Sequence, residues 1–583
     1  VKETSKAALR RSREPVFVQR YFSGEGVDIR PGADPLSAHM RLFPRVRRIV
    51  PHDNAVKITG LQDASMDFVH ASHCLADQEH PRQALARWLD LLKPGGYAIV
   101  TVPDEDLYGK GEWPSRFNRN HKASYTVHKP SNALPRSINV IDLVREMSHV
   151  AECERIALVR EHYDDERREV DQTAHGVAEC AIEIVLRKRD VPSLGAQLEA
   201  ASRARSVSES IAACKDAVRL YPYRFEAYHR TMIEMLRWNV PEEADAFLAQ
   251  GVEHLPGEHM ARLYRALHAI SRGQLQQGFV WREALMAPMG WKRRTTVEPP
   301  STVPAWTGQS LAGKSIAIWS EFGLGDEIFF LRFAKIFREQ CGARRVTVVC
   351  QTPLLDLYKA SCEPDDVLSV EQIGALPALD YWVFPHAIPA HLPLDLEALP
   401  ATVPYLHAPR GTPSKLPQVG ADKLKVGIVF KGNPTHENDH QRSMPSLSAL
   451  DSLFMLEGVE FFSLQKGAGA DEVADYAKKL PNFHDVGVSL NTMAETASAV
   501  EALDLVLTVD TSVAHVAGAM GKPVWLMLPS YGDWRWHYTR EDSPWYPTMR
   551  LFRRPFGCDW SEVVARINGH MLQLIAERTE RKE

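Results

Sequence analysis

Two kinds of patterning alternate along the chain. Between about residues 15 and 190, short apolar runs, GVDI (26–29), FVHA (68–71) and YAIVTV (97–102), alternate with an amphipathic stretch at 81–92. Strand-like runs separated by helical spacing predict an α/β domain. From about 195 to 295 the β-branched runs disappear and Ala, Leu, Arg and Glu recur at helical spacing, which predicts an all-helical block. A Pro-rich connector, EPPSTVP (298–304), marks the next boundary. Beyond it, residues 310–415 carry SIAIW (315–319), VTVVC (346–350) and YWVF (381–384). Residues 420–580 carry KVGIVF (425–430), EFFSL (460–464), LVLTV (505–509) and PVWLML (523–528). The predicted fold is a multidomain α/β protein: an N-terminal Rossmann-like domain, central helices, and two Rossmann-like halves in tandem. Strand ends from both halves would line a cleft between them, where ligands generally bind.

The helical block contains an internal repeat. Pro222, Ala227 and Asn239 recur 34 positions later as Pro256, Ala261 and Gly273, and Ala217 is answered by Gly251. This is the period of tetratricopeptide repeats, which the block resembles: each unit is a helix pair whose small residues permit close packing and whose proline ends the second helix. Two repeats, with a degenerate third near 206–220, are few for a free-standing array, so the block is expected to pack on its neighbours and offer a concave surface to a partner.

Composition narrows the class. At roughly 150 residues per domain, 583 residues predict about four folding units. Lys plus Arg number 69 against 74 Asp plus Glu, a net charge of −5, with 44% hydrophobic and 25% charged residues. That balance fits a soluble globular protein and excludes disorder and collagen-like repetition. It also argues against nucleic acid as a partner, since phosphate-backbone binders carry a basic excess. The eight cysteines lie far apart with no C-x-x-C pair, so they are expected to be reduced thiols in a cytoplasmic protein rather than zinc ligands. The first thirty residues open on a basic, polar stretch without an apolar region, and no later segment offers about 18 uninterrupted apolar residues. Neither secretion by that route nor a membrane span is expected. Oligomeric state is not legible.

Candidate chemistry gathers at strand ends. After LVLTV comes DTSVAH (510–515), then VAGAMGKP (516–523). An apolar strand running into Asp510, Thr511 and Ser512 predicts a helix N-terminus, and its backbone N–H groups with the helix dipole would cradle a diphosphate. The plainer reading makes Thr511 only a helix cap. GLGDE (323–327) follows the first strand of the first half and would leave Asp326 at the cleft mouth as a base, or serve only as a turn. FKGNP (430–434), with Arg442 beyond, and SLQKG (463–467) set Lys431, Asn433, Gln465 and Lys466 just past strands of the second half, where phosphate would lie or where lysines merely meet solvent.

Together these stretches resemble the heptosyltransferase-like (family nine) glycosyltransferases of GT-B fold, especially the bacterial subset with tetratricopeptide repeats. GLGDEIFFLRF (323–333), FKGNPTHENDHQRSMP (430–445), SLQKG (463–467), TVDTSVAHVAGAMGKPVW (508–525) and DWRWHYTREDSPWYPTMRLFRR (533–554) carry the resemblance, over about 310 to 575. It implies inverting, metal-independent transfer of a sugar from a nucleotide-sugar donor to an acceptor hydroxyl. Asp326 matches the family's catalytic base, Arg442 the basic position facing the diphosphate, and Asp510, Thr511, Ser512 and His515 the donor loop. The chemistry agrees. A hydroxyl needs a base, and a departing nucleoside diphosphate needs positive potential, which a helix tip with Arg442, Lys431 and Lys466 can supply without a metal. The Asp-x-Asp at 104–106 lies in the first domain and is read as a decoy. Trp545 and Tyr546 fit a base pocket or the core equally well.

The N-terminal domain resembles class I S-adenosylmethionine-dependent methyltransferases over about residues 18 to 150, through FVHASH (68–73), LLKPGGY (91–97), TVPDEDLY (101–108) and WPSRFNRNHK (113–122). The resemblance implies cofactor contacts at Gly24, Gly26, Asp28, Gly32 and Asp53. LKPGG is expected to end a helix and turn into a strand. Two departures stand out: Arg30 occupies a position that is usually glycine, and Leu75-Ala76-Asp77 replaces the usual Leu-Glu-His. S-adenosylmethionine binding and a retained scaffold both remain open. Two rivals to a glycosyltransferase are a methyltransferase with a non-catalytic carbohydrate-binding C-terminal module and a non-enzymatic scaffold. In the main reading the repeats position an acceptor protein or a cell-surface glycan precursor.

Overall fold

The computed structural model describes residues 2–580 except 57, 175, 287–293, 362, 395, 397, 398, 400 and 437. The chain divides into two compact units, residues 1–238 with 246–261 and residues 239–245 with 262–583. The helical block is therefore shared between the units rather than standing as one of its own.

In the first unit, β1 (Gly24–Ile29), β2 (Val46–His52), β3 (Met66–Ser72), β4 (Leu92–Pro103), β7 (Ala151–Val159) and β8 (Ala181–Lys188) form one sheet in the order β2-β1-β3-β4-β8-β7, while β5 (Ser124–Thr126) and β6 (Ser137–Asn139) pair separately. The first four are parallel and β8 runs antiparallel to both its neighbours. Val69, Ala71, Ile99 and Val100 are all fully buried, as central strands covered on both faces require. The LKPGG segment differs from expectation. The preceding helix, Pro81–Leu91, ends one residue before β4 starts, and the glycines lie inside the strand. The ladder passes from Met66↔Leu92 to Phe68↔Tyr97, so residues 93–96 form a bulge in which Gly95 takes φ +80°.

A buried ionic network anchors the N-terminal helix, Glu3–Ser12, to this sheet. Arg11, fully buried, donates from Nε to Glu183 Oε2 at 2.9 Å and from Nη2 to Thr101 Oγ1 at 3.2 Å. Arg10 Nη2 reaches the same Glu183 oxygen at 2.9 Å.

The helices in the last part of this block begin at matching intervals. Phe225–Arg237 and Pro241–His254 are followed 34 residues later by His259–Ser271 and Leu275–Met286. Asn239 (φ +57°) and Gly273 (φ +87°) occupy equivalent left-handed turn positions, which explains why these residue types answer each other. Gly251 is required because a Cβ there would lie 2.8 Å from the Tyr228 ring.

The second unit contains two parallel sheets. β9 (Ser315–Ile318), β10 (Arg345–Cys350), β11 (Asp366–Ser369) and β12 (Tyr381–Val383) run in the order β11-β10-β9-β12. β13 (Leu424–Val429), β14 (Val459–Ser463), β15 (Phe483–Asp485), β16 (Leu505–Val509), β17 (Val524–Leu528) and β18 (Met549–Arg553) run β15-β14-β13-β16-β17-β18. Each order reverses once, between β9 and β12 and between β13 and β16, and ligands bind at such switch points, beyond the carboxyl ends of the strands. One apolar core joins both halves, and Ile270, Leu275 and Phe279 of the last helix pair belong to it. Trp545 and Tyr546 are core residues, at 1% and 0% exposure. Among the described residues no helix is long and apolar enough to cross a membrane, and the seven described cysteines are free; Cys362 lies outside them.

Glu183 gives a test of the first unit. Burial opposes its ionisation, but Arg11 and Arg10 hold its carboxyl down at about 2. Its stabilisation is therefore present above the ordinary glutamate value and lost as pH falls through about 2. Glu183→Gln should destabilise this unit by about 3–5 kcal/mol at pH 7, because Arg11 stays buried without its counter-charge. Urea titration with limited proteolysis of residues 1–238 reads the effect.

Candidate active site

The site in the second unit begins with a close approach of two helices. Leu324–Phe330 follows β9 and Ser512–Ala519 follows β16. A Cβ on Gly325 would sit 2.9 Å from His515 Cδ2 and 3.8 Å from Ser512 Cα. Glycine is what brings the first turn of one helix against the first turn of the other.

Thr511 is the N-cap of the Ser512–Ala519 helix, in extended backbone, and its side chain makes no capping bond. Its hydroxyl lies 3.3 Å from that of Thr508. The first amides of the helix are thus not consumed by the Thr511 side chain. Asp510, just before them, is about one-fifth exposed and lies 3.9 Å from His515 Nε2. Burial and the neighbouring Asp533 push the Asp510 carboxyl up to about 6, against the pull of Arg535 and Arg442. His515 is 5% exposed and its Nδ1 lies 3.0 Å from the Tyr546 hydroxyl. Burial and Arg535 hold its imidazole neutral, down to about 3.

Asp326, a quarter exposed, stands in the first turn of the opposing helix. One carboxylate oxygen accepts the Gly323 N–H at 3.1 Å, closing the helix start, and the other accepts Arg535 Nη2 at 2.5 Å. The turn reading of GLGD is thus present in the structure, with the Asp326 carboxylate closing its own helix start and still a quarter exposed. Burial raises its pKa, but Arg535, His386 and the Gly323 N–H together hold it below the usual aspartate value. Arg535 bridges to Asp533 from Nη1 at 2.9 Å and lies over the faces of Phe329 and Trp534, at 4.7 and 4.3 Å.

The structure brings Asp326, Asp510, Thr511, Ser512 and His515 together, with Arg442 close enough to act on the Asp510 charge. Arg442 lies over Gly432, where a Cβ would come within 2.7 Å of its Nη2, and is tethered to Asp439 at 3.2 Å. The remaining donor candidates are engaged elsewhere. Gln465 is buried and staples strand ends, accepting from the Phe430 and Lys431 amides at 3.0 and 3.1 Å and donating to the Lys431 carbonyl at 3.0 Å. Lys431 pairs with Glu472 at 2.6 Å, Lys466 donates to the Leu490 carbonyl, and Asn433 caps its own turn through Thr435.

Several charged residues at the site went unread in the sequence. Glu321 and His386 sit just past β9 and β12, the first switch point, and are hydrogen-bonded there. Arg535 lies in the 533–554 stretch, 209 positions from the Asp326 it contacts, so nothing along the chain points to that pair. Glu327 is buried against Ser320 and the Gln351 amide, and burial pushes its carboxyl up to about 7. A polar residue one to three positions beyond an apolar run is the signal that would have found Glu321 and His386.

In the first unit a cavity of about 220 Å³ opens past the carboxyl ends of β1, β3 and β4, lined by Pro31, Asp34, Ser72, His73 and Tyr108 among others. The cofactor positions expected from the sequence map onto it only in part. Gly24 and Gly26 lie within β1, where a Cβ would strike Asp67 and the Phe68 ring at 2.2 and 2.1 Å. Asp28 is spent on His70 Nδ1 at 2.7 Å and the Leu36 amide at 2.7 Å. Asp53 lies exposed after β2. Gly32 has open space around it at φ +56°, and Arg30, at φ +47°, turns outward toward Asp77 at 3.4 Å. Of the lining carboxylates, Glu3 pairs with Lys6 at 2.9 Å and Asp34 accepts the Ser5 amide at 2.8 Å. The acidic run at 104–106 is structural: Asp104 accepts the Asp106 and Leu107 amides at 3.0 and 2.9 Å, and Lys129 pairs with Glu105. No cluster of three metal-ligating side chains occurs among the described residues.

The fold is a Rossmann-like domain, a run of helices and two Rossmann-like halves in tandem. Residues 14–140 match the family model of a methyltransferase domain. Among curated proteins, Protein FlbA of Caulobacter vibrioides is 26% identical over 395 residues, 61% of this chain and 63% of that protein; the chain spans less than two thirds of that relative's length. Among solved structures, a glycosyl transferase family 9 protein from Veillonella parvula is 14% identical with a TM-score of 0.31, covering 43% of this chain and 88% of its own. The ADP-heptose lps heptosyltransferase II of E. coli is 14% identical with a TM-score of 0.33, covering 46% and 99%. A SAM-dependent methyltransferase of Thermotoga maritima is 16% identical with a TM-score of 0.20, covering 32% and 100%.

Gly325→Ala tests the helix contact. The added methyl must displace the buried His515 ring, so the variant should lose about 1–3 kcal/mol of stability in the second unit. Calorimetry of the full chain measures it; an unchanged melting curve would contradict the close approach.

Proposed function

We propose that the second unit is an inverting, metal-independent glycosyltransferase that moves a sugar from a nucleotide-sugar donor to an acceptor hydroxyl on a protein or a cell-surface glycan precursor. The observation that carries this reading is the apposition of Asp326 and the open tip of the Ser512–Ala519 helix across Gly325. The leaving phosphate would rest against the Ser512 and Val513 amides, where the helix dipole favours negative charge. Arg442 would add to that potential. Asp326 would remove the acceptor proton as its oxygen attacks the anomeric carbon from the face opposite the nucleotide. Arg535, already on Asp326, would fix the orientation of that carboxylate. Helical repeats joined to the core of the acceptor-side half support their use in presenting an acceptor. For the first unit we propose S-adenosylmethionine binding in the cavity, with Asp34, His73 and Tyr108 at the cofactor; the group would supply a transferable methyl.

The direct test is a panel of uridine, guanosine, adenosine and cytidine diphosphate and monophosphate sugars, scored for thermal stabilisation and slow hydrolysis by the full chain. One donor should stabilise the protein and turn over. Asp326→Ala should cut turnover 10²–10⁴-fold while keeping nucleotide binding, and Arg442→Ala should weaken nucleotide binding by roughly 10-fold or more. Binding of S-adenosylmethionine with no sugar turnover would favour a methyltransferase carrying a carbohydrate-recognition module. Binding of neither would favour a scaffold.

A pH dependence follows from Asp510. Its carboxyl is neutral below about 6 and anionic above, and an anionic carboxylate repels a bound phosphate. Nucleoside diphosphate affinity should therefore fall as pH rises through about 6, and Asp510→Asn should flatten that fall. Calorimetric titration between pH 5 and 8, ordinary working values for this residue range, reads both.

A further inference from the structure

The helix Leu275–Met286 carries one residue that breaks its own pattern. Leu275, Phe279 and Arg282 stand at i, i+4 and i+7 and so share one face. Leu275 and Phe279 belong to the apolar core of the second unit, and Arg282 is buried with them at 6% exposure. Its Nη1 is a buried donor without an acceptor. The carboxylates whose charge it feels are each taken by another cation. Glu283 holds both terminal nitrogens of Arg294, at 2.8 and 3.1 Å, Glu321 accepts Arg294 Nε at 2.5 Å, and Asp326 is paired with Arg535. Burial draws the Arg282 guanidinium below the ordinary arginine value, yet an arginine keeps its charge at any working pH. A buried cation left over in this way is costly to the fold, and a Leu or Met at the same position would serve the helix face better.

The guanidinium lies over the ring of Phe322, 5.5 Å from its centre. Phe322 immediately precedes Gly323, the N-cap of the helix that carries Asp326, and is 41% exposed. Its φ of +57° lies in the left-handed region, which a bulky side chain occupies only under strain. Two hydrogen bonds hold it there: the Phe322 N–H donates to the Arg294 carbonyl at 2.8 Å, and its own carbonyl accepts Gln351 Nε2 at 3.1 Å. An exposed aromatic ring, an unpaired cation against it and the candidate base four residues further on thus share one corner of the acceptor-side half.

Resting on the sugar-transfer reading, we propose that Arg282 and Phe322 form an acceptor subsite for a sugar that bears a carboxylate. The Phe322 ring turns aside, as exposed side chains do within nanoseconds, while its two backbone hydrogen bonds stay made. That rotation opens the guanidinium to the cleft, where the carboxylate pairs with its planar fork. The ring then packs on the apolar face of the sugar, and a sugar hydroxyl faces Asp326. The two side chains together select this chemistry: an aromatic face beside a guanidinium suits a charged ring, whereas a neutral sugar would leave the cation unpaired and a small anion would leave the ring unused. A carboxylate also brings a single charge next to Glu321 and Asp326, where a phosphate would bring close to two. Because Arg282 stands on the last helix of the repeat block, the same helix would join that block to acceptor recognition.

The test measures thermal stabilisation of the full chain by D-glucuronate, acetate, glucose and inorganic phosphate at constant ionic strength, in the wild type, in Arg282→Met and in Arg282→Lys. Methionine keeps the length of the side chain without its charge; lysine keeps the charge and loses the fork. Glucuronate at about 20 mM should raise the wild-type melting temperature by about 2 °C or more, acetate should raise it less, and glucose should leave it unchanged. Arg282→Met should lose the glucuronate shift, and Arg282→Lys should need roughly 10-fold more glucuronate to reach it. Should the Met variant fold poorly, the Lys variant carries the test. Acetate matching glucuronate would overturn the sugar assignment, and a phosphate shift that the Arg282 variants abolish would overturn the carboxylate. No glucuronate shift in the wild type, or the same shift in both variants, would overturn the subsite while donor turnover stands. A wild-type protein that turns over no donor in the nucleotide-sugar panel would overturn the sugar-transfer reading and the acceptor role with it.

Discussion

The second unit depends on the ion pair between Asp326 and Arg535. Asp326 belongs to the helix after β9 and Arg535 to the segment after β17, so their contact of 2.5 Å is one of those that join the two halves. The guanidinium is only 6% exposed and stacked on aromatic faces, where a charge without a partner would cost several kcal/mol. Asp326, Asp533 and, at longer range, Asp510 supply the counter-charge. The arrangement holds the carboxylate in one orientation and keeps it ionised. It also makes that carboxylate a poor base at rest, which is the tension that any mechanism on this scaffold has to resolve.

Two neighbouring features take shape around that pair. Gly325 lets the first turn of the Ser512–Ala519 helix come against the helix that carries Asp326. The Glu321–His386 pair sits on the other side of the acid, at the first-half switch point, and is neutral overall apart from the buried glutamate charge that Arg294 offsets. Asp326 thus meets a helix N-terminus on one side and a buried acid–imidazole pair on the other. Shared core packing, with Arg332 donating to the Trp545 carbonyl at 2.8 Å, keeps the two halves in register.

Much of the architecture was legible because apolar runs of four to six residues ending in polar residues are the signature of buried parallel strands. The runs at 315–319, 346–350, 425–430, 460–464, 505–509 and 523–528 all became strands. Short or weakly apolar strands escaped: β15 has three residues and β11 four, too few to show a period. LKPGG misled because a bulge and a turn use the same residues, and only the ladder partner distinguishes them. At the site, spacing along the chain found Asp326 and the Asp510–His515 loop, since each follows its strand directly. It could not find Arg535, whose partner Asp326 is 209 positions away, nor show that Lys431, Gln465 and Lys466 are committed to Glu472, strand ends and a carbonyl. In the first domain, Gly24, Gly26 and Asp28 looked like a cofactor loop, yet packing against Asp67, Phe68 and His70 accounts for them.

The central claim is that a nucleotide's phosphates settle on the amides that open the Ser512–Ala519 helix, which Thr511 leaves uncapped. Hydrogen–deuterium exchange of the full chain with and without saturating nucleoside diphosphate measures this directly. The account predicts slowed exchange in peptides covering 510–516, together with the stretch around Gly432 and Arg442. Unchanged exchange at 510–516, with protection confined to the cavity past β1 and β3, would contradict it.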